Sequence, residues 1–282
     1  MDFFVTGASG YIGSALTRTL IARGHRVRGL ARTPLAEAVV RGHGAEPVLA
    51  DLTDLDTLAA AAAGGDGVVH TAATETADRA EVDRAAVTAM LGAMSGGVFV
   101  TTTGAPRARS SRTPVTEDDT AAVEGPLAWL AEAEARVLDS HVRGVVVRPP
   151  MVYGDGGGPV LRLVAQAAAD GVARYIGDGQ NRWSTVHVRD LALAYAALLE
   201  STASGAFHVA DGHLSLVELM TAVGAAAAVP VAAWSLDEAT AAHGWGAGFL
   251  AADAVLDTAR IRALGWSPTI GRGIQDDLVS AA

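Results

Sequence analysis

The feature that most constrains the fold of this chain is a glycine-rich turn between its first strand-like and its first helix-like segment. The hydrophobic run Phe3-Phe4-Val5 is followed by a turn over residues 7–13 and then by a helical pattern that continues to Arg23. Glycine here permits a tight turn and a close backbone approach to a pyrophosphate, while the helix N-terminus offers free N–H groups. The pattern predicts a dinucleotide site formed by Gly7, Ser9, Gly10, Tyr11, Ile12 and Gly13.

Short strand-like and helix-like segments alternate through the first 150 residues. Strand-like runs at 26–30, 47–49, 67–70, 98–100 and 145–147 are separated by helix-like runs at 35–41, 55–63, 79–94 and 126–140. Strands that are joined through helices form a parallel sheet covered on both faces. We therefore predict an α/β fold with a doubly wound parallel sheet (a Rossmann fold) and a smaller C-terminal substrate-binding lobe. Residues 1–150 form the predicted dinucleotide-binding domain, with return segments near 186–210, and residues 151–282 mainly the lobe.

Composition excludes several classes of function. The net charge of −10, from 31 acidic and 21 basic residues, has the wrong sign for attraction to nucleic acid or to an anionic membrane. No cysteine is present, and the histidines and carboxylates lack ligand spacing, so we expect no disulfide and no metal site. The most apolar long stretch, residues 221–236, is interrupted by Gly224 and Pro230 and predicts no membrane span. The N-terminus shows no leader pattern, which predicts a cytoplasmic protein.

All 21 basic residues are arginine. The absence of lysine means that no mechanism that needs a lysine amine can operate in this chain. Between residues 104 and 125 the composition changes to small polar, proline, arginine and acidic residues, which predicts a long surface loop.

The end of the second strand-like run favours NADP over NAD as the cofactor. Ala31 and Arg32 stand where an acidic residue would accept the ribose 2′-OH, and arginine suits a 2′-phosphate. A solvated arginine at a strand end is the alternative, which leaves NAD open. Asp51 and Leu52, after the third strand-like run, are placed to meet the adenine end, although Asp51 could also cap the following helix.

These motifs resemble those of the extended short-chain dehydrogenase/reductase superfamily, a group of NAD-dependent epimerases, dehydratases and reductases. Besides the glycine turn, the segments 51–54, 69–73, 148–154, 177–179, 186–192 and 264–268 are similar to the family's pattern. The resemblance implies a small-molecule substrate and allows a homodimer. It also implies cofactor contacts at Thr71, Ala72, Ala73 and Pro149.

The sequence departs from this family at its catalytic pair. The resemblance implies a tyrosine that acts as general acid/base and a lysine four residues later, but Pro126 and Leu130 stand at those positions. A tyrosine with an ordinary pKa near ~10 is poorly suited to proton transfer at neutral pH without a cationic neighbour. The usual proton relay is therefore missing.

Several other residues are candidates for catalysis. Thr103 is the predicted hydroxyl that faces the substrate oxygen, with Thr102 as the second choice. Asp83 could have a raised pKa and move protons, although a structural hydrogen bond is the simpler interpretation. Tyr153 lies beside the expected nicotinamide, and His187 is either a core histidine or a proton shuttle. The aromatic residues that could line an apolar cleft are Trp129, Tyr175 and Trp183.

The prediction is an NADP-dependent oxidoreductase of the extended short-chain type. It would act on a small or polycyclic carbonyl or hydroxyl compound, in secondary metabolism, with Thr103 holding the substrate oxygen and a non-standard proton donor. Two alternatives stay open. One is a redox-neutral isomerase, epimerase, dehydratase or cyclase. The other is a non-catalytic NADP-sensing or partner-binding protein, which the loss of the tyrosine and lysine fits better than it fits an ordinary reductase.

Overall fold

A computed structural model describes residues 1–104, 111, 113–119, 125–244, 246–271 and 273–281. Much of the loop predicted between residues 104 and 125 lies outside these described residues. The strands are, in chain order, β1 (Asp2–Thr6), β2 (Arg26–Ala31), β3 (Glu46–Leu49), β4 (Gly67–His70), β5 (Val98–Thr102), β6 (Arg143–Arg148), β7 (Met151–Tyr153), β8 (Ala173–Ile176), β9 (Arg182–His187), β10 (Gly205–His208), β11 (Gly212–Ser215) and β12 (Val231–Trp234).

The helices alternate with the strands in the first half of the chain and cluster towards its end. They are α1 (Tyr11–Ala22), α2 (Pro34–Gly42), α3 (Leu55–Ala62), α4 (Arg79–Ala93), α5 (Trp129–Leu138), α6 (Pro159–Asp170), α7 (Val188–Glu200), α8 (Leu216–Ala227), α9 (Leu236–His243), α10 (Gly246–Leu250), α11 (Ala259–Ala263) and α12 (Ile274–Ala281). A 3₁₀ turn at Gly125–Leu127 precedes α5. None of the helices in the described part of the chain has the length and apolar character needed to span a bilayer.

The main sheet has seven strands in the order β10-β6-β5-β4-β1-β2-β3, and every neighbouring pair is parallel. The chain proceeds outward from β1 through β2 to β3 and then returns to β4 on the other side of β1. This confirms the predicted doubly wound parallel sheet. Where the order reverses, the helices that follow β1 and β4 pack on opposite faces of the sheet, and a crevice that can hold a ligand forms at such a point.

The central strand explains why the sheet is covered on both faces. Phe3, Phe4 and Val5 of β1 are all fully buried. Phe3 and Val5 pack in the core that includes residues of α1 and α7, whereas Phe4 packs in the core on the opposite face, with residues of α3, α4 and α5. A strand buried on both faces is continuously apolar, as this one is.

The C-terminal half forms a smaller lobe and also returns to the main sheet. Strands β11, β9 and β7 form one small sheet, and β12 and β8 form another. A third core joins these small sheets to α6, α8 and α12. Between β9 and β11 in the chain, α7 packs on α1, and β10 pairs with β6 at the edge of the main sheet. Residues 188–208 therefore belong spatially to the main sheet.

Residues 250–257, which we call the strap, run along β9. Arg182 binds Asp253 with its backbone N–H (2.7 Å) and with its guanidinium Nε (3.0 Å), and Ala254 donates its N–H to Arg182 O at 2.9 Å. The strap also meets Ser111 and Val115, which donate their N–H groups to Asp253 O at 2.8 Å and to Val255 O at 2.7 Å. The strap is therefore held both by β9 and by these two residues.

Candidate cofactor and substrate site

The glycine turn after β1 leaves no room for side chains. Gly7 has a φ of +71°, and a Cβ on it would lie 2.8 Å from Ala72 N. A Cβ on Gly13 would lie 2.0 Å from Gly7 O, where real contacts of this kind do not occur. Gly10 N donates to Gly7 O at 2.8 Å, which closes the turn. The backbone of this turn can consequently approach a ligand directly.

The N-terminus of α1 is built to meet an anion. Its N-cap is Gly10, which supplies no side-chain hydrogen bond, and its first turn carries no acidic residue. The first N–H groups of a helix otherwise need a capping side chain, and together with the helix dipole they favour a negatively charged partner. The first turn of α1 thus fits a pyrophosphate.

The end of β4 lies against this turn. Thr71 donates its hydroxyl to Thr6 O at 2.8 Å, and Ala72 N lies 3.4 Å from Thr6 Oγ1. The predicted cofactor residues Thr71, Ala72 and Ala73 therefore stand beside the glycine turn at the crevice where the strand order reverses.

Arg32 follows β2 and Asp51 comes shortly after the neighbouring strand β3, so both lie at the same edge of the sheet as the glycine turn. Their Nη1 and Oδ2 atoms are 4.0 Å apart, and the side chains are 70% and 44% exposed. The alternative interpretation of Asp51 as a helix cap is wrong, because Asp54 is the N-cap of α3 and accepts from Thr57 N, whereas Asp51 accepts from Thr53 N. The side chain of Leu52 is buried in the core that includes residues of α3.

Thr103 is part-buried and binds a buried pair of charged residues. It follows β5, and its hydroxyl donates to Glu134 Oε1 at 2.7 Å. Glu134, on α5, forms a two-point ion pair with Arg148 at the end of β6, with Nη2–Oε2 at 2.6 Å and Nε–Oε1 at 2.9 Å. Both charged side chains are almost fully buried. A buried ion pair in this geometry fixes the carboxylate and hence the orientation of the Thr103 hydroxyl.

Sequence reasoning missed the role of Glu134 and Arg148. The sequence feature that could have identified them is Arg148 itself. It directly follows the apolar run Val145–Val147, so its charged side chain is expected at the end of a buried strand. A buried arginine needs a carboxylate or several carbonyl oxygens as partners. Arg148 has the Glu134 carboxylate and in addition donates to one carbonyl oxygen, Glu117 O, at 3.1 Å.

Thr102, the second choice for the substrate-facing hydroxyl, is hydrogen-bonded to the hydroxyl of Tyr195. Tyr195 is fully buried in the core on α7. The Thr102 side chain therefore faces the core rather than Thr103 and Glu134.

An apolar cavity of about 320 Å³ lies next to Thr103. Its walls come from Pro149 to Met151, from Leu127 and Leu130, from Trp183 and from the strap. No residue of this lining, in the part of the chain that the structure describes, carries a charge. Its hydroxyl groups are those of Thr103, which donates to Glu134, and Ser184, whose Oγ accepts from Leu256 N at 2.9 Å. The cavity thus offers a ligand an apolar surface with one hydroxyl cluster at its edge.

One of the two residues at the positions of the missing catalytic pair also lines this cavity. Leu130, at the lysine position, is buried and lines the cavity. Pro126, at the tyrosine position, lies in the 3₁₀ turn, and its carbonyl oxygen accepts from Arg79 Nη2 at 3.1 Å. Leu130 therefore presents hydrocarbon to the cavity at the position where the resemblance implies an ammonium group.

Tyr153 lies in a different environment from Thr103. Its hydroxyl donates to Asp211 Oδ2 at 2.9 Å, and Asp211 also accepts from Thr185 Oγ1 and from His187 N. Burial, together with the Asp211 carboxylate, raises the pKa of the Tyr153 phenol above its ordinary value. A phenol in these surroundings holds its proton at neutral pH.

Asp83 and His187 each form a hydrogen bond with another residue of the chain. Asp83 Oδ1 lies 3.0 Å from His70 Nε2, and His70 Nδ1 lies 2.8 Å from Thr6 Oγ1, so this chain of groups leads to the glycine turn. His187 is the N-cap of α7, and its Nδ1 accepts from Arg189 N at 3.2 Å. Neither residue lines the cavity beside Thr103.

Of the three aromatic residues predicted to line an apolar cleft, Trp183 lines the cavity. Tyr175 packs against the core of the C-terminal lobe. Trp129 lies under the guanidinium of Arg79, at 6.0 Å from the ring centroid.

Tyr11 connects the glycine turn to the C-terminal lobe. Its hydroxyl donates to Gly154 O at 2.8 Å. Cβ atoms added to Gly157 and Gly158 would lie 2.5 Å and 2.8 Å from its ring, so only glycine lets residues 154–158 wrap around it. Asp155 in the same segment pairs with Arg189 of α7 at 2.7 Å.

Known proteins share both the sequence and the fold of this chain. A family model for NAD(P)H-binding proteins matches residues 7–202. An uncharacterized protein of Schizosaccharomyces pombe is 32% identical over 297 residues, which cover 100% of this chain and 99% of that protein. The 2-alkyl-3-oxoalkanoate reductase of Stenotrophomonas maltophilia is 30% identical over 256 residues, or 82% of this chain and 77% of the reductase.

The same fold occurs in solved structures. The NAD complex of Thermus thermophilus UDP-glucose 4-epimerase superimposes with a TM-score of 0.75 over 100% of both chains at 23% identity. The resemblance seen in the sequence motifs is thus confirmed, and the predicted NAD(P)-binding fold with it. The chain belongs to the NAD(P)H-binding family and resembles the extended short-chain dehydrogenases/reductases.

Proposed function

We propose that this protein is an NADPH-dependent reductase of an apolar carbonyl compound, and equally a dehydrogenase of the corresponding alcohol. The observation that carries this proposal is the uncharged cavity beside Thr103, at the same edge of the sheet as the glycine turn. When bound, NADPH supplies a hydride. The residues of this chain then have to bind the carbonyl compound, orient its oxygen and supply a proton.

Apolar lining argues against a nucleotide sugar as the substrate. Burying a diphosphate without cationic partners is strongly unfavourable, and no arginine lines the cavity in the described part of the chain. One relative, the 2-alkyl-3-oxoalkanoate reductase, is named as a reductase of a compound with alkyl groups. A carbonyl compound with a hydrocarbon body suits the cavity better.

Thr103 and Glu134 are the groups we assign to proton transfer. Because Thr103 donates its one hydroxyl hydrogen to Glu134, its oxygen lone pairs are free to accept a hydrogen bond from a substrate alcohol. An alcohol can give its proton to Thr103 while Thr103 passes its own to the Glu134 carboxylate. Carbonyl reduction uses the same path in the opposite direction, with Glu134 protonated first. Arg148 is a positioning residue that holds Glu134 in place.

The assignment of the cofactor as NADP rests on Arg32. This residue, with its exposed guanidinium, lies at the same edge of the sheet as the glycine turn, where a 2′-phosphate would be recognised, and charge-assisted bonds to phosphate are among the stronger polar contacts. Asp51, 4.0 Å away, would then meet the adenosine from the other side.

Oxidation of NADPH, followed by its absorbance with a panel of alkyl and aryl ketones, tests the proposal. Since general acid catalysis contributes about 10²–10⁴-fold, Thr103→Val should reduce kcat by about 10²-fold or more and Thr103→Ser should restore most of it. Thr88→Val, which removes an exposed hydroxyl on α4, is the matched control. Tyr153→Phe and Asp83→Asn test the two other predicted catalytic residues in the same assay.

Two outcomes would contradict the reductase. Conversion of a compound without any change in NADPH absorbance would indicate a redox-neutral isomerase, epimerase, dehydratase or cyclase. Tight binding of NADPH with no turnover on the whole panel would indicate a cofactor sensor.

A further inference from the structure

A second cavity, of about 130 Å³, lies inside the C-terminal lobe. It is bordered by α6, β8 and α8 and lined mainly by apolar side chains, among them Leu163, Ala167, Ile176, Leu216 and Met220. The polar residues that border it are Gln166, Asp170, Arg174 and His243. The reaction described above uses none of these residues.

Trp183 is the residue that lines both cavities in the described part of the chain. On α6, Pro159 borders the first cavity and Leu163, one turn later, borders the second. On the strap, Ala252 borders the first cavity and Leu250 the second. Three separate elements thus pass from one cavity to the other at the same place, so the two cavities are neighbours across the indole ring.

The indole ring is held in a defined position. Its Nε1–H donates to Ala252 O at 3.2 Å, and β9 pairs Trp183 with Leu214 of β11. Asn181, two residues earlier, donates to the carbonyl oxygens of Leu250 and Ala252 at 2.9 and 3.1 Å. The side chain of Trp183, which separates the two cavities, is therefore held against the strap by a hydrogen bond.

We propose that the second cavity binds the apolar tail of the substrate, and that Trp183 and the residues beyond it determine how long that tail can be. This inference rests on the proposed reductase activity and names the substrate class: an uncharged ketone, or its alcohol, with an unbranched alkyl chain. The carbonyl group lies at Thr103, and the chain runs along the indole ring into the lobe. Each methylene that is buried there strengthens binding by roughly fourfold.

A homologous series of methyl ketones, from 2-hexanone to 2-dodecanone, tests the proposal. For the wild-type protein, kcat/KM should rise by roughly fourfold per methylene until the second cavity is filled, and then level off. Ala167→Leu, which adds bulk to the buried wall of that cavity, should reduce kcat/KM for the long ketones by about tenfold or more and leave 2-hexanone within about twofold. Ala168→Leu, at the neighbouring exposed position on α6, is the matched control and should change neither.

Trp183→Phe provides an independent variant. A smaller ring leaves more space between the two cavities, so the longest ketone accepted should become longer by one or more carbons. Thermal melting and NADPH binding show whether each variant is folded. Equal effects of Ala167→Leu on all chain lengths, or no effect on any, would overturn the tail site, as would an unchanged length limit in Trp183→Phe.

Calorimetric titration with the alcohols 2-hexanol to 2-dodecanol separates this proposal from the proposed function. If Kd falls by roughly fourfold per methylene in the wild-type protein and not in Ala167→Leu, the tail site is supported even if no ketone is reduced. If ketones are reduced but neither Kd nor kcat/KM depends on chain length, the reductase stands and the tail site fails.

Discussion

At the scale of single residues, Gly13 does most to define the cofactor turn, because a Cβ there would lie 2.0 Å from Gly7 O. Gly13→Ala should therefore force the turn open and weaken NADPH binding by about tenfold or more, measured by calorimetry. Gly92→Ala on α4 is the control, since a Cβ at Gly92 meets nothing within 4 Å. That variant should keep its affinity for NADPH and gain up to about 1 kcal/mol of stability. Wild-type affinity in Gly13→Ala would show that the turn is not the phosphate site.

Arg32 is the residue that should distinguish the two nicotinamide cofactors. Arg32→Ala is expected to weaken NADPH binding by about tenfold and to leave NADH binding within about twofold, because only NADPH carries the 2′-phosphate. Asp51→Asn, which changes the neighbour at 4.0 Å, should affect both cofactors alike. Equal losses of NADPH and NADH affinity in Arg32→Ala would contradict the choice of NADP.

The sequence singled out Thr103 as a candidate but gave no local signal for Glu134 as its partner. Thr103 follows an apolar strand, and functional side chains often follow the carboxyl ends of parallel strands. Glu134 lies 31 residues further along on a helix, and its contact with Thr103 depends on how α5 packs against β5 and β6. A charged residue on a helix is usually exposed, so nothing local distinguished Glu134 from its neighbour Glu132.

At the scale of elements, the contact between α1 and α7 has an electrostatic contribution with a definite pH dependence. Glu200, at the end of α7, accepts from Arg23 at 2.7 and 2.5 Å and lies 2.9 Å from His25. Hydrogen bonds from Arg23 lower the pKa of Glu200 to about 2. A carboxylate whose pKa is lower in the folded than in the unfolded protein stabilises the fold. This stabilisation is complete at a pH above the unfolded-state pKa and is lost as the pH falls towards the folded-state pKa.

Glu200→Gln should consequently destabilise the protein at neutral pH and matter less in acid. Allowing for its partial exposure to solvent, we expect a loss of about 1 kcal/mol near neutral pH that shrinks as the pH falls from about 4.5 towards about 2. Urea unfolding at several pH values measures it. Glu75→Gln is the matched control, because Glu75 and its partner Arg162 are 88% and 80% exposed. A loss that does not change with pH would show that Glu200 contributes through packing alone.

The elements themselves were predictable to different degrees. Strands β1 to β6 and the helices between them can be predicted from local hydrophobic patterns. Their pairing can then be predicted as well, because a doubly wound sheet has a fixed strand order. Pairing in the small sheets and along the strap has no such local signal. Trp183 donates to Ala252, 69 residues away, and β9 alone offers no pattern that identifies the strap as its partner.

At the scale of the whole molecule, the strap lines the proposed substrate cavity but contributes none of the predicted cofactor residues. Asp253 fastens it to Arg182, whereas the predicted cofactor residues other than Pro149 lie before residue 104. Asp253→Ala should therefore lower kcat/KM by about tenfold or more while NADPH affinity stays within about twofold. Asp139→Ala, at the exposed end of α5, is the control. Loss of NADPH affinity together with turnover would show that the strap supports the entire fold.

The wrapping of residues 154–158 around Tyr11 has a consequence for how the two halves respond to a ligand. A compound that binds the folded protein alone lowers the population of every opened form in which its site is broken. The ring of Tyr11 packs against residues 154–158, which lead into α6. If the C-terminal lobe detached from the main sheet, this contact would break and the glycine turn beside Tyr11 would be disturbed as well. Saturating NADPH should therefore slow tryptic cleavage far from the nucleotide, at Arg162 and Arg174, although neither arginine lies near the glycine turn in the sequence.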